Sequence, residues 1–265
     1  MDLIFTDLDG TLLDRDTYSW EAARPALDRL KRQGVPWVLV TSKTRAEVEF
    51  WRRALGNGHP FIVENGGAAF VPLGYFPNAI LRGKRRDVYE AFEWGRPYEE
   101  LVDDLHRASQ NSQCRVRGFH EMTPEEVSRL CDLSLEQAVL AKQREYDEPF
   151  LILDPDRAGA LAAAIEGEGR LWTRGGRFWH ILGTSDKALA VEALCALFEQ
   201  GNARVRTIGL GDGLNDASFL NVVDTPVLIR SQQTAELKAR VPRGLVTDLP
   251  GPAGWNEAVL ALIGD

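Results

Sequence analysis

Two aspartates spaced i, i+2, Asp7 and Asp9, stand directly behind a short apolar run, Leu3-Ile4-Phe5, and are followed by Gly10 and Thr11. An acid pair at the mouth of a buried strand can share one concave site. One carboxylate can attack while the other moves a proton, and the glycine lets backbone approach a ligand closely. Asp-x-Asp also occurs in surface turns, calcium loops and the metal motif of nucleotide-sugar glycosyltransferases. The calcium loop fails here, because its pattern needs a further acid or amide before the glycine and a glutamate later.

Three more segments suit one chemistry. Val38-Leu39-Val40 runs into Thr41-Ser42-Lys43, an apolar strand ending in hydroxyls. Ser185-Asp186-Lys187 opens a helical pattern through Ala190, Leu194 and Leu197. Val205 to Ile208 leads into Gly209-Leu210-Gly211-Asp212-Gly213-Leu214-Asn215-Asp216, a strand, a glycine-rich turn and a second pair of acids. In this order the four segments resemble the haloacid dehalogenase-like phosphatase superfamily.

Phosphoryl transfer supplies a task for each part. A phosphate monoester is an anion attacked by an anion, so the site must neutralise charge and hold the nucleophile in line. Asp7 is the expected nucleophile, becoming an aspartyl phosphate, and Asp9 protonates the leaving alkoxide and then activates the water that clears the intermediate. Asp212, with Asp7 and the Asp9 backbone carbonyl, is expected to hold Mg²⁺, which prefers hard oxygen ligands. Asp216 is expected in the outer shell or acting through water. Ser42 donates to a non-bridging phosphate oxygen, with Thr41 as the substitute if the strand end is shifted by one. Lys187 brings a compact positive charge to phosphate and nucleophile, and Asn215 contacts phosphate or Lys187. Relatives in the lidded subclass usually follow the hydroxyl with Gly-Arg, whereas Ser42 is followed by Lys43-Thr44. Lys43 is therefore expected to add a charge near the phosphate.

The elements that must position these residues follow from periodicity and punctuation. Ser19 to Gln33 reads as a helix with Ala26, Leu27 and Leu30 inward and Gly34 at its stop. Thr44 and Glu47 form a capping box for a helix reaching about Leu55, and Phe61-Ile62-Val63 is the next strand. Alternating strand and helix predicts an α/β fold, a Rossmann-like parallel-sheet core over 1–82 and 184–265, ending in a helix near Trp255 to Ile263. Between the halves, 83–183 differs in character. Tyr98 to Asn111 is helical in period, Thr123-Pro124-Glu125-Glu126 is a capping box, Phe150 to Leu153 is a strand and Arg157 to Glu166 a helix. Its position between the second and third motifs matches an inserted α+β cap, where substrate choice should reside.

Within that cap, Leu171-Trp172-Thr173-Arg174, then Gly175-Gly176, then Arg177-Phe178-Trp179-His180 signals a hairpin. With Gly175-Gly176 as its loop, Arg174 faces Arg177 and Trp172 faces Trp179. Like charges directly opposite destabilise a ribbon, so a bound anion between the arginines would relieve that cost while the tryptophans stack on a sugar. His180 falls on the opposite face, as a packed or hydrogen-bonded histidine. Asn65, Gly66 and Gly67 could present backbone N–H groups to a polar ligand, and Arg144 and Glu148 belong to a rim reading sugar hydroxyls.

Composition bounds the partners. At 265 residues the chain can bury a sizeable core, and its net charge of -8 argues against a nucleic-acid backbone. Cys114, Cys131 and Cys195 are odd in number and clustered with no other ligands, as expected for reduced thiols. No apolar run approaches the roughly 20 residues of a membrane span. The first strand begins at once, leaving no room for a signal peptide, so a cytoplasmic location is expected.

Four strings narrow the resemblance. Asp-Leu-Asp-Gly-Thr-Leu-Leu-Asp at 7–14, Thr-Ser-Lys-Thr at 41–44, Glu-Asn-Gly-Gly at 64–67 and Arg-Glu-Tyr-Asp-Glu-Pro-Phe at 144–150 resemble the family of mannosyl-3-phosphoglycerate phosphatases. That likeness implies a small phosphorylated sugar acid as substrate, cleaved to mannosylglycerate, a compatible solute, and phosphate. Sugar phosphatases of the sucrose or trehalose phosphate type and phosphohexomutases would share the core residues. A receiver-like regulatory domain would also cluster acids and a lysine around Mg²⁺, but its compactness suits an inserted lid poorly.

Overall fold

The structure, a computed structural model, describes residues 1–77, 81–175, 178–184, 186–200 and 204–264. The first part of the chain runs β1 (Asp2–Thr6), α1 (Arg24–Gln33), β2 (Trp37–Val40), α2 (Arg45–Leu55), β3 (Phe61–Val63), β4 (Ala68–Pro72), β5 (Lys84–Arg86) and β6 (Tyr89–Glu93). A second part follows as α3 (Tyr98–Ser112), β7 (Val116–Gly118), α4 (Pro124–Cys131), α5 (Leu135–Ala141), β8 (Asp147–Ile152), α6 (Ala158–Gly167), β9 (Leu171–Gly175) and β10 (Phe178–Leu182). The chain then returns through α7 (Lys187–Glu199), β11 (Arg206–Gly211), α8 (Ala217–Val222), β12 (Thr225–Arg230), α9 (Thr234–Arg240), β13 (Leu245–Pro250) and α10 (Gly251–Ile263).

Nine strands form one sheet in the order β13-β12-β11-β1-β2-β3-β4-β6-β5, parallel from β13 to β3 and antiparallel beyond. Its central strands are apolar on both faces, as burial between two helical layers requires. Ile4, Trp37 and Leu39 pack with Ala26, Leu27 and Leu30 of α1, Val48 of α2 and Trp255 of α10. Leu3, Phe5, Val38 and Val40 pack on the other face with Leu194 of α7 and Phe219 of α8. Gly34 stops α1 as expected, at φ 66°, and Gly56 stops α2 at φ 62°, a region open to glycine at little cost.

The second part carries its own four-stranded sheet, β7-β8-β10-β9. Leu101 and Leu105 of α3 and Leu161 and Ile165 of α6 cover one face through Phe150 and Ile181. Phe178 on the other face packs with Phe119, Val127 of α4 and Ala138 of α5. The boundary expected at residue 83 moves, because β5 and β6 pair onto β4 as the edge of the larger sheet. The inserted α+β unit starts near α3.

One ion pair inside this unit sets a pH dependence of stability. Glu148 is fully buried, accepts from the Tyr98 hydroxyl at 2.7 Å, and faces His120 Nδ1 at 2.7 Å. That bond holds the imidazolium, so the His120 pKa is raised above its ordinary value. The stability it confers is complete below the unfolded value of about 6.5 and is lost as pH rises through the folded value. Thermal melts of His120→Gln should fall furthest below the parent near pH 6, with the gap closing towards pH 9. A gap independent of pH would show that the pair carries no charge.

Candidate active site

Asp7 follows the last residue of β1 and Asp212 the last of β11, two adjacent parallel strands. From β1 the chain goes to β2 and β3 on one side and comes back to β11 on the other. Strand order therefore reverses between β1 and β11, and the crevice outside the carboxyl ends at such a point is where open α/β sheets bind ligands.

Lys187, at the first turn of α7 after its Asp186 cap, crosses to this crevice and is 1% exposed. Its Nζ donates to Asp7 Oδ1 at 2.9 Å, Asp216 Oδ1 at 2.6 Å and the Val40 carbonyl at 3.1 Å. The other oxygen of Asp216 accepts from the amides of Asp212 at 3.1 Å and Gly213 at 2.9 Å. Asp212 Oδ1 accepts from the Thr11 hydroxyl at 3.3 Å, and Oδ2 lies 3.4 Å from the half-exposed Arg15 guanidinium. Gly10, at φ 77°, has to be glycine, since a Cβ there would stand 2.7 Å from Asp212 Oδ2. Among the described residues the amides of Leu8 and Asp9 meet no protein acceptor, leaving two donors beside Asp7.

The electrostatics follow from burial. Desolvation, with Asp216 beside it, pushes the Asp7 carboxyl well above the usual carboxylate range and the Asp212 carboxyl up to about 7. Burial would lower the Lys187 pKa, but the carboxylates of Asp216 and Asp7 outweigh it and raise it. Three buried acids thus bring ligand oxygens within 4.8 Å of one another, with Asp7 and Asp216 sharing one buried ammonium and Asp212 facing Arg15. This hard-oxygen, negatively charged donor set fits Mg²⁺. The Asp9 carboxylate lies outside this set, its side chain turned to Lys43 at 3.0 Å. Lys43 therefore sits on Asp9 and Glu47, with its own amide turned to Thr41 Oγ1 at 3.2 Å. Thr41 is fully buried and used internally, while Ser42 is partly exposed.

The 64–67 turn and the 144–150 segment meet as one network. Asn65 Nδ2 donates to Asp147 at 2.6 Å, and its oxygen accepts from Asn215 Nδ2 at 3.2 Å. Asp147 in turn holds His180 Nδ1 at 2.8 Å, so β8 and β10 are tied to the loop that carries Asp212 and Asp216. His180 is hydrogen-bonded and buried, as expected. Asp147 was missed as a network member, although strand alternation could have found it: Asp147 and Glu148 must point to opposite faces. Glu148 lies under α3 with Tyr98 and His120, away from the crevice. Arg144 backs the second motif, donating to the Ser42 carbonyl at 2.8 Å. Gly66 and Gly67 are required for close packing: a Cβ would stand 2.1 Å from the Asp186 carbonyl at Gly66 and 2.3 Å from Tyr146 Cβ at Gly67.

The hairpin departs from expectation by a register shift. Gly175 pairs with Phe178; residues 176 and 177, and with them Arg177 as a site residue, lie outside the described residues. Arg174 is opposite Trp179 and Trp172 opposite Ile181, so no arginine pair faces across the described ribbon. That face turns towards the helices, with Trp172 and Trp179 packed against the α3–α6 cluster and Trp172 Nε1 donating to Glu166 of α6 at 3.0 Å. Arg174 lines a separate cavity of about 460 Å³ with Trp172, Trp179 and, from the larger unit, Glu236 and Arg240. Pairing by two residues either way keeps the same faces, so the pattern alone could not distinguish the registers.

A family model for haloacid dehalogenase-like hydrolases matches residues 4–73. The chain is 41% identical over 268 residues to a glucosyl-3-phosphoglycerate/mannosyl-3-phosphoglycerate phosphatase of Methanococcoides burtonii, covering 99% of this chain and 97% of the relative. It is 40% identical to a protein of the same name from Persephonella marina, with the same coverage. In structure it is similar to the sucrose-phosphatase of Synechocystis sp. PCC6803, solved with sucrose and phosphate, with TM-score 0.64, 14% identity and coverage of 98% and 96%.

Proposed function

Because the chain belongs to the glucosyl-3-phosphoglycerate/mannosyl-3-phosphoglycerate phosphatase family of haloacid dehalogenase-like hydrolases and is a phosphoric monoester hydrolase, we propose that it hydrolyses mannosyl-3-phosphoglycerate to mannosylglycerate and phosphate in the cytoplasm. The observation that carries this reading is the convergence of Asp7, Asp212 and Asp216, with a buried Lys187 bridging Asp7 and Asp216, at the strand-order reversal. Among the described residues no helix is long and apolar enough to cross a membrane.

In this mechanism an Asp7 oxygen attacks phosphorus and the bond to the sugar-acid oxygen breaks, with Asp9 giving that oxygen a proton. Asp9 then takes a proton from water, whose oxygen displaces Asp7 from phosphorus and releases inorganic phosphate. Lys187 holds Asp7 and offsets charge on the transferring group, and the Leu8 and Asp9 amides with the Ser42 hydroxyl cradle its oxygens. Asp7, Asp212 and the Asp9 carbonyl would hold Mg²⁺, which when bound neutralises charge accumulating on the phosphoryl oxygens. Asp216 keeps Lys187 and the 212–213 backbone in place.

Substrate choice falls to the inserted unit, which the buried Asn65–Asp147–His180 network ties through Asn215 to the 212–216 loop. Phosphate release should be measured with Mg²⁺ on mannosyl-3-phosphoglycerate, glucosyl-3-phosphoglycerate, sucrose phosphate, trehalose phosphate and hexose phosphates. A kcat/KM at least tenfold above the sugar phosphates, roughly 1.4 kcal/mol of transition-state binding, is the expected result for the mannosyl ester. Equal rates across the panel would remove the substrate assignment, and isomerised hexose phosphate without free phosphate would indicate a mutase.

A further inference from the structure

The proton-transfer acid of this reading, Asp9, is held at one end and bare at the other. Lys43 Nζ lies 3.0 Å from Asp9 Oδ2, whereas Asp9 Oδ1 is buried and has no hydrogen-bond partner. A buried carboxylate oxygen without a donor, in a side chain otherwise 41% exposed, calls for a partner that arrives during function.

Lys43 is itself fixed from three directions. Its ammonium lies 3.3 Å from Glu47 Oε1, and the side chain is 7% exposed. Glu47 cannot swing away, because its Oε2 accepts from the Thr44 amide at 2.9 Å while the Thr44 hydroxyl accepts from the Glu47 amide at 3.1 Å. The Tyr18 ring covers the ammonium at 5.3 Å, and the Tyr18 hydroxyl donates to the Cys131 carbonyl at the end of α4. The clamp is thus built from the cap of α2 and roofed by a contact with the inserted unit.

We infer that Lys43 is a positioning residue for proton transfer, pinning Asp9 Oδ2 so that the carboxyl is held in one orientation for the leaving oxygen and later for water. This rests on the phosphatase reading above. In the first half-reaction the Asp9 proton passes to the departing oxygen as its bond to phosphorus breaks. In the second, the Asp9 carboxylate receives a proton from the attacking water. Lys43 touches neither phosphate nor sugar and acts through Asp9 alone.

Leaving-group dependence tests this, because a phenolate departs with little need of a proton and an alkoxide does not. Steady-state kcat/KM, which reports only the step up to phosphoenzyme formation, is to be compared on p-nitrophenyl phosphate and on the most active alkyl ester. General acid catalysis contributes about 10²–10⁴-fold. Lys43→Met should therefore lower the alkyl ester by roughly 10²-fold or more and the aryl ester by less than about tenfold, and Lys43→Arg should recover part of the difference. In an Asp9→Asn background the Lys43→Met change should leave the aryl-to-alkyl ratio where Asp9→Asn put it. Should Lys43→Met fold poorly because Glu47 is left unpaired, Lys43→Met/Glu47→Gln removes that charge and is read the same way. A matched fall on both esters, no fall at all, or an additive effect on Asp9→Asn would overturn the inference while the phosphatase reading stands. If the parent chain releases phosphate from no ester, the phosphatase reading itself is lost.

Discussion

Replacing Asp7 with asparagine is expected to abolish phosphate release, by about 10⁴–10⁶-fold as for removal of other covalent nucleophiles, without loss of the fold. The amide has the shape of the carboxyl but cannot form the acyl phosphate, so no other residue in the crevice can take the step over. Stability should move the other way from activity. Asp7 is buried beside Asp216 and Asp212, and its carboxyl is held well above the usual range, so the native state gains little from its charge and spends free energy desolvating it. Lys187 keeps its partner in Asp216 at 2.6 Å after the change. A melting temperature equal to or above the parent, with no measurable turnover, is the expected pair of results. Turnover at the parental rate would rule out Asp7 as the nucleophile, and a collapsed melting temperature would mean that Asp7 is mainly structural.

Lys187→Met should cost both. Methionine fills much the same volume but leaves Asp7 and Asp216 buried together with no cation between them, and removing one partner of a buried pair costs about 3–5 kcal/mol. In a chain of this size that is roughly 10 °C in melting temperature. The rate should fall by about 10³-fold or more, since the charge offset that Lys187 brings to the transferring group goes with it. Urea unfolding with phosphate assays on the same preparation measures both losses. Lys187→Met/Asp216→Asn, which removes the orphaned acid, should regain much of the stability and little of the rate. Recovery of both together would make Lys187 a structural residue only.

These predictions concern residues legible from the sequence, and there is a physical reason why they were. Asp7, Thr41 and Asp212 each end an apolar strand that is buried on both faces, and such strands announce themselves as continuous apolar runs. The helix caps were equally local: Thr44 with Glu47, Thr123 with Glu126 and Gly34 act within a few residues of themselves. The cap residues resisted for the opposite reason. Whether Glu148 or Asp147 met the 64–67 turn depended on which side of β8 the helices α3 and α6 came to cover. Arg174 depended on a register that alternation leaves open in steps of two.

The chain by itself determined its chemistry, the α/β core, the four motifs and the order in which they occur, because each is written in residue type and short-range spacing. Only the tertiary structure decided that Lys43 lies between Asp9 and Glu47, that β5 and β6 belong to the large sheet, and that Asn65, Asp147, His180 and Asn215 form one connection between the two units. Those outcomes depend on which distant segments meet when apolar faces are buried. Contacts between distant residues, such as Asn65 and Asn215, 150 positions apart, are set by that packing and leave no periodic signal along the chain.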